Sequence, residues 1–209
     1  MRKILMTVLL LTVASVAYAN TLTLSPVTVY HQYQQTSNNP CVIGDPSCNN
    51  GSFPETVFPA GGNVTSYDSV SPVYTVADIR AITGNTFFIG VDVNQTVDVQ
   101  SLSLFEMLIN GVVVDTFSAN PATLVPPTDG GGNGNGYADY ILTGFTSLAG
   151  YSATDTVQFH VVMPVVNDGR EEYFLISATI PQVPEPSSLA LLGTGLVGVA
   201  GAIRRRFAR

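Results

Sequence analysis

The chain has 209 residues, 45% of them apolar and 11% charged, and a formal net charge of −7. That apolar content is enough for a sizeable core, and the charge content is too low for a charge-extended disordered chain. Six of the eight basic residues lie at the two ends, whereas Asn20 to Val183 holds two Arg, no Lys and fourteen Asp or Glu, close to −12 over a stretch of single-domain size. Nucleic-acid binding, which needs clustered Lys or Arg to displace counterions from phosphate, is excluded for such a region.

The chain opens on Met1-Arg2-Lys3, continues with an apolar run from Ile4 to Val16, and reaches Ala17-Tyr18-Ala19 before Asn20. A basic start, an apolar run too short to span a bilayer, and small residues two apart before a polar one predict a secretory signal peptide over residues 1–19. Signal peptidase would cut after Ala19, reading Ala17 and Ala19 and leaving Asn20 as the new terminus. The region 20–182 is then one domain.

Within that domain no helical apolar pattern of useful length stands out. Alternating or β-branched runs recur instead, at 21–30, 73–77, 86–93, 101–110, 112–117, 137–143, 156–162 and 173–179. Asn110-Gly111, between two of these runs, predicts a two-residue hairpin, because both residue types tolerate the positive φ of a type I′ turn. The apolar phase changes between Leu104 and Phe105, which predicts a bulge that places Glu106 on the solvent side. Short strands separated by Gly, Pro, Asn and Asp predict an all-β fold, a single β-sandwich, with a jelly roll as the preferred topology.

Two segments read as loops. The first, 32–62, holds both cysteines, and Gly44, Asp45 and Pro46 favour a turn that brings Cys41 and Cys48 together. In an exported chain this spacing predicts a disulfide that stiffens a surface loop, since a structural zinc site needs four ligands and no further Cys or His pair stands nearby. The second is Pro126 to Gly136. Alternating oxygen-bearing and glycine residues there nominate Asp129, Asn133, Asn135 and Asp139 as calcium ligands, although the spacing departs from an EF-hand loop and lacks two of its anionic ligands. A flexible connection is the simpler reading of three consecutive glycines, and no other cofactor is expected.

Catalytic patterns are missing from the sequence. His31 and His160 lie outside a His-Glu-x-x-His pattern, and no Gly-x-Ser-x-Gly elbow or phosphate loop is present. His160 falls inside a predicted strand, where a packed or sheet-face histidine is the expectation, and His31 is expected to be exposed. Glu171-Glu172, after Asn167-Asp168-Gly169-Arg170, reads as a solvated charged turn. Tyr30, Tyr33, Tyr67, Tyr74, Tyr137, Tyr140, Tyr151 and Tyr173 offer either a sugar-stacking face or ordinary strand packing.

The chain closes on Val183-Pro184-Glu185-Pro186, Ser187-Ser188, an apolar Gly-rich run from Leu189 to Ile203, and Arg204-Arg205-Arg206. As a helix that run covers about 22 Å, a thin span against a hydrocarbon core of roughly 30 Å. The arginines act as a membrane stop and, under the positive-inside rule, leave the acidic domain on the far side. Pro184, Glu185 and Pro186, the short apolar segment and the terminal arginines together resemble the PEP-CTERM sorting signal of bacterial exopolysaccharide-associated proteins, over residues 183–209. The resemblance implies that an exosortase reads Pro184-Glu185-Pro186, that the tail holds the precursor in the membrane at least transiently, and that the product reaches the cell surface or extracellular matrix. The resulting expectation is a non-enzymatic exported protein associated with extracellular polysaccharide. A carbohydrate-binding module and, behind it, a secreted hydrolase with paired carboxylates are the alternatives.

Overall fold

Asn110 and Gly111 adopt φ of 51° and 75°, as a type I′ turn requires, and the fold is built outward from this hairpin. The computed structural model describes residues 19–29, 31–44, 46–57, 65–94, 100–125, 136–166 and 171–179. In chain order the elements are β1 (Asn20–Thr21), β2 (Thr23–Pro26), β3 (Cys41–Gly44), β4 (Thr56–Val57), β5 (Tyr67–Val70), β6 (Tyr74–Thr75), α1 (Val76–Thr83), β7 (Phe87–Asp92), β8 (Gln100–Ile109), β9 (Val112–Val125), β10 (Tyr140–Thr143), β11 (Thr156–Met163) and β12 (Glu172–Ser177). One sheet runs β1-β9-β8-β11-β5, with β6 also on β11; the other runs β2-β10-β7-β12-β3-β4. The chain divides into two units, Met1–Ser177 and Ala178–Arg209, and the sandwich belongs to the first.

The pairing is nested. β8 pairs with β9, β7 with β10, β5 with β11 and β3 with β12, all antiparallel. Each pair therefore encloses the one before it, and the chain behaves as one long hairpin rolled into two sheets, which is the jelly-roll arrangement. The all-β sandwich expected from the sequence is what is observed.

The two sheets are buried differently. Along β11, Val157, Phe159, Val161 and Met163 enter the core while Thr156, Gln158, His160 and Val162 face outward, the alternation of a sheet wet on one side. In contrast β7 is buried at all six positions and β12 at five of six. The inter-sheet core holds Phe105, Phe159, Tyr173, Leu142 and Ile89; a second cluster of Cys41, Cys48, Phe88, Ala138, Phe174 and Ile176 lies apart from it. The Tyr33 ring packs edge-on to Phe88 at 5.1 Å. The segment expected to be a plain loop over 32–62 is thus a covering layer that contributes β3 and β4. The Cys41–Cys48 disulfide forms as expected, with Cα atoms 6.3 Å apart, but both cysteines are buried, so the bridge is part of a core and does not merely stiffen a surface loop.

Other corrections are local. Val73 to Ala77, expected to be a strand, is β6 followed by the first turn of α1. Thr75 caps that helix: its hydroxyl accepts from the Asp78 N–H at 3.1 Å, and the Asp78 carboxylate accepts from the Thr75 N–H at 2.8 Å, a capping box closed by Asp. Val76, Ile79 and Thr83 form the buried stripe. The β8 irregularity falls between Leu102 and Leu104, with a second between Met107 and Leu108, so the bulge lies slightly before the expected position. Glu106 does point away from the core, which Phe105, Met107 and Ile109 enter.

Gly90 gives this double burial a test. A Cβ there would stand 2.6 Å from Cζ of Phe174 and 2.9 Å from Cδ1 of Ile176. Gly90→Ala is expected to lower unfolding free energy by about 1–3 kcal/mol, whereas Gly150→Ala, with nothing within 4 Å, should change it by less than about 0.5 kcal/mol. Urea denaturation of both variants measures the difference.

Candidate functional site

The sandwich concentrates buried charge at one end of its doubly covered sheet. Glu172 of β12 is the register partner of Asp92 of β7. On the other side Tyr140 pairs with Val91, and the N–H of the preceding Asp139 donates to the Val91 carbonyl at 2.8 Å. Cross-strand partners share a face, so Glu172, Asp92 and Asp139 form a row over three adjacent strands. Glu171 adjoins the row. These four carboxylate residues are exposed by 2% or less.

The charge is only partly answered. Asp139 Oδ2 accepts from the Val93 N–H at 2.8 Å, Glu171 Oε2 from the Asn94 N–H at 2.6 Å, and Asp92 receives the Gly136 N–H. Asp92 Oδ2 and Glu171 Oε1 are enclosed with no donor. Burial pushes the Asp92 carboxyl up to about 9, with the charges of Glu172, Asp139 and Glu171 adding to it. Burial likewise pushes Glu171 up to about 8; the Asn94 N–H opposes the rise, and Asp139 and Glu172 reinforce it. Asp115 shows the contrast. It too is buried, and burial raises its pKa, but it accepts from both the N–H and the hydroxyl of Thr146.

Glu171-Glu172 is therefore not the solvated turn expected from the sequence. The four predicted calcium ligands fare unequally: Asp139 enters the buried row, while Asp129, Asn133 and Asn135 lie outside the described residues. Asp92, Glu171 and Glu172 were missed because no local spacing connects them; the register of β7 with β12 does. Cys41 Sγ, Cys48 Sγ and a Glu172 oxygen also lie within 4.8 Å of one another, but the two sulfurs are bonded to each other and Glu172 alone offers a lone pair of use to a hard ion.

His160 sits on the outer face of the other sheet, half-buried. Its Nε2 meets Asp68 Oδ1 at 2.7 Å and its Nδ1 meets Glu106 Oε2 at 3.0 Å. Burial works against the charged ring, but the hydrogen bonds and charges of Glu106 and Asp68 outweigh it and raise the pKa above 6.5. The raised pKa favours the doubly protonated ring, in which both nitrogens donate to carboxylates and no lone pair is left for general-base work. The tyrosines divide similarly: Tyr67, Tyr74, Tyr140 and Tyr173 are core residues, so they do not form a stacking row. His31 is exposed as expected, and its ring stacks on Tyr137 at 4.0 Å. A groove of about 410 Å³ between α1 and the segment 50–54 exposes part of Phe53, which stacks on Tyr74 at 4.9 Å, beside Asn50, Ser52 and Asp78.

Residues 182–206 match the family model of the PEP-CTERM protein-sorting motif. The match supports an exported protein sorted and processed by an exosortase, and its limits contain Pro184, Glu185, Pro186 and Arg204 to Arg206. The PEP-CTERM segment lies outside the described residues, as do residues 1–18 of the expected signal peptide, including Ala17; Ala19 and Asn20 are described, the latter in β1. Among the described residues no helix is long and apolar enough to cross a membrane. No curated protein and no solved structure matches the chain.

The His160 bridge carries a pH signature. Because its folded pKa is raised, its stabilisation is complete below the unfolded value near 6.5 and is lost as pH rises through the folded value. The difference in unfolding free energy between the protein and His160→Gln should shrink as pH is raised from 5.5 to 9, measured by denaturant melts. Taking the difference removes the contribution of the buried acids, which is common to both.

Proposed function

We propose that this protein is a non-enzymatic component of the bacterial cell surface or extracellular matrix, associated with exopolysaccharide and delivered through its C-terminal sorting segment. The single observation that carries this reading is the motif match over residues 182–206. A signal peptide cut after Ala19 starts export. The apolar run before Arg204 then holds the precursor in the membrane while the exosortase reads Pro184-Glu185-Pro186. Pro184 and Pro186 lack amide donors and are poor helix residues, a sequence property suited to a segment that an enzyme reads in extended form.

The sandwich supports the non-enzymatic part of the reading. His160 has both nitrogens engaged, and the buried carboxylate row is closed to solvent, whereas glycoside hydrolysis needs two carboxyls facing a sugar in an open cleft. A carbohydrate-binding module is the second reading. The Phe53 groove favours it, since one partly exposed aromatic ring flanked by amide, hydroxyl and carboxylate groups suits a sugar ring.

Two measurements test the proposal. Glu185→Ala, or deletion of 189–209, should leave the C-terminus unprocessed and displace the protein from the surface, read by intact mass and fractionation; unchanged processing and display would refute a sorting role. A domain close to −12 repels an acidic polysaccharide at low salt, so cosedimentation with such a polymer should require calcium or magnesium. Retention that survives a chelator and is lost in Phe53→Ala would instead favour direct sugar contacts in the groove.

A further inference from the structure

The groove between α1 and the segment 50–54 is built on a stiff frame. The Asn50 N–H donates to the Cys48 carbonyl at 2.9 Å, its carbonyl accepts from the Phe53 N–H at 2.9 Å, and its side-chain Oδ1 accepts from the Cys41 N–H at 2.7 Å. The turn so closed passes through φ of 56° at Gly51 and 86° at Ser52. A Cβ on Gly51 would stand 2.7 Å from Cβ of Ser37. Ser52 adopts the left-handed region without a glycine's freedom, a strain of the kind held at ligand-contacting segments. After the turn, Tyr74 covers one face of the Phe53 ring at 4.9 Å and 18°, and its hydroxyl donates to the Pro54 carbonyl at 2.7 Å.

One polar atom of this frame stands unanswered. The Cys41 N–H fixes which end of the Asn50 amide is the acceptor, so the other end is the donor Nδ2. It is enclosed with no acceptor, in a residue only 8% exposed that lines the groove. A buried donor without a partner is costly, and cores rarely keep one. Asp78 presents the opposite need. The N–H and hydroxyl of Thr75 hold its carboxyl below the usual range, so at neutral pH it is an anion that only accepts. A fitting ligand therefore carries an acceptor for Asn50, donors for Asp78, and an apolar face for Phe53, Val73 and Ile82. An anion is repelled by Asp78 within a region close to −12. A simple ammonium group answers Asp78 but gives Asn50 nothing. Hydroxyls both donate and accept, and the C–H face of a pyranose ring suits an aromatic platform.

We propose that this groove binds a neutral hexopyranose unit, with Phe53 as the stacking platform, Asn50 Nδ2 donating to a sugar oxygen and Asp78 accepting from sugar hydroxyls. The inference rests on the second reading above, direct sugar contact in the groove, and adds the class of sugar and the donor that selects it. The volume of about 410 Å³ lies within the range of small-ligand sites.

The full-length chain, purified in a polyoxyethylene detergent without a sugar headgroup, is titrated calorimetrically in the presence of a chelator. The probes are neutral oligosaccharides of glucose, galactose and mannose and, separately, oligogalacturonate and choline. Saturable binding of at least one neutral oligosaccharide is expected, with none of galacturonate or choline. Phe53→Ala should weaken it by about tenfold or more. Asn50→Asp, which keeps the acceptor toward Cys41 but removes the donor, should weaken it by a similar factor. Ala81→Trp, at an exposed helix position lining the groove, should block binding with an unchanged melting temperature, so the loss is not a folding failure. Tyr137→Ala, at the His31 stack, should bind as the parent does. The proposal is overturned by absence of saturable binding to every neutral oligosaccharide, by preference for galacturonate or choline, or by Asn50→Asp or Ala81→Trp binding as the parent does. Loss of binding in Tyr137→Ala with retention in Phe53→Ala would also overturn it. Calcium-dependent cosedimentation with an acidic polymer, without neutral-sugar binding, would overturn this inference and leave the matrix reading standing. Groove binding in a chain whose C-terminus is never processed would support it and refute the sorting role.

Discussion

The register set at Asn110-Gly111 governs most of this fold. The two residues take the positive φ that closes β8 onto β9, and Asn110 also reaches the start of β11: its N–H donates to the Thr156 carbonyl at 3.0 Å, and its side-chain oxygen accepts from the Thr156 N–H at 2.9 Å. One residue therefore fixes two pairings, β8 with β9 and β8 with β11. A slip of one position in either would turn Phe105, Met107 and Ile109, or Val157, Phe159 and Val161, out of the core. The remaining pairs close progressively longer loops around this nucleus, each costing only slowly more entropy as the loop lengthens. Nested pairing is the form of a jelly roll that lets local contacts precede distant ones.

Rolling the hairpin leaves one sheet wet and the other covered, and the polar chemistry follows that asymmetry. On the wet sheet a charge is cheap, and Glu106, Asp68 and His160 form a bridge at modest burial. Once buried, the same residue types become costly on either sheet and depend on supplied donors. Asp115, in β9 of the first sheet, receives Thr146 twice over. Asp92 receives one N–H from Gly136 and faces three further carboxylates. The layer that buries Phe88 and Phe174, closed by the Cys41–Cys48 bridge, belongs to the sheet that carries Glu172 and Asp92, so the same covering that stabilises the apolar half raises the cost of the acidic end.

The legible parts of the sequence were those whose cause is local. A two-residue turn with its own φ requirement, an alternating run such as Thr156 to Met163, and a seven-residue cysteine spacing each declare themselves within a short window. The helix α1 did not, because eight residues with three buried positions cannot be told from a β-branched run, and only the Thr75–Asp78 box marks its start. Cys41 to Gly44 was hidden for a related reason: a four-residue strand buried on all sides has no alternation to show. The acidic row was out of reach altogether. Asp92, Asp139 and Glu172 meet through strand register, and the sequence neighbourhood of Glu171-Glu172, rich in Asn, Asp and Gly, points toward solvent when the side chains in fact turn inward.

Charge placement ties the domain to its destination. The region between the two ends has two arginines and fourteen acids, so it cannot neutralise itself, and the acids are not all spread over the surface where water and salt would screen them. Those exposed must find counterions in the surroundings; among those enclosed, burial raises the pKa values of Asp92 and Glu171 and so favours their protonated forms. A protein sorted to the outside of the cell by its C-terminal segment thus carries enclosed acids whose protonation, and with it part of the fold's stability, follows the pH of the surroundings.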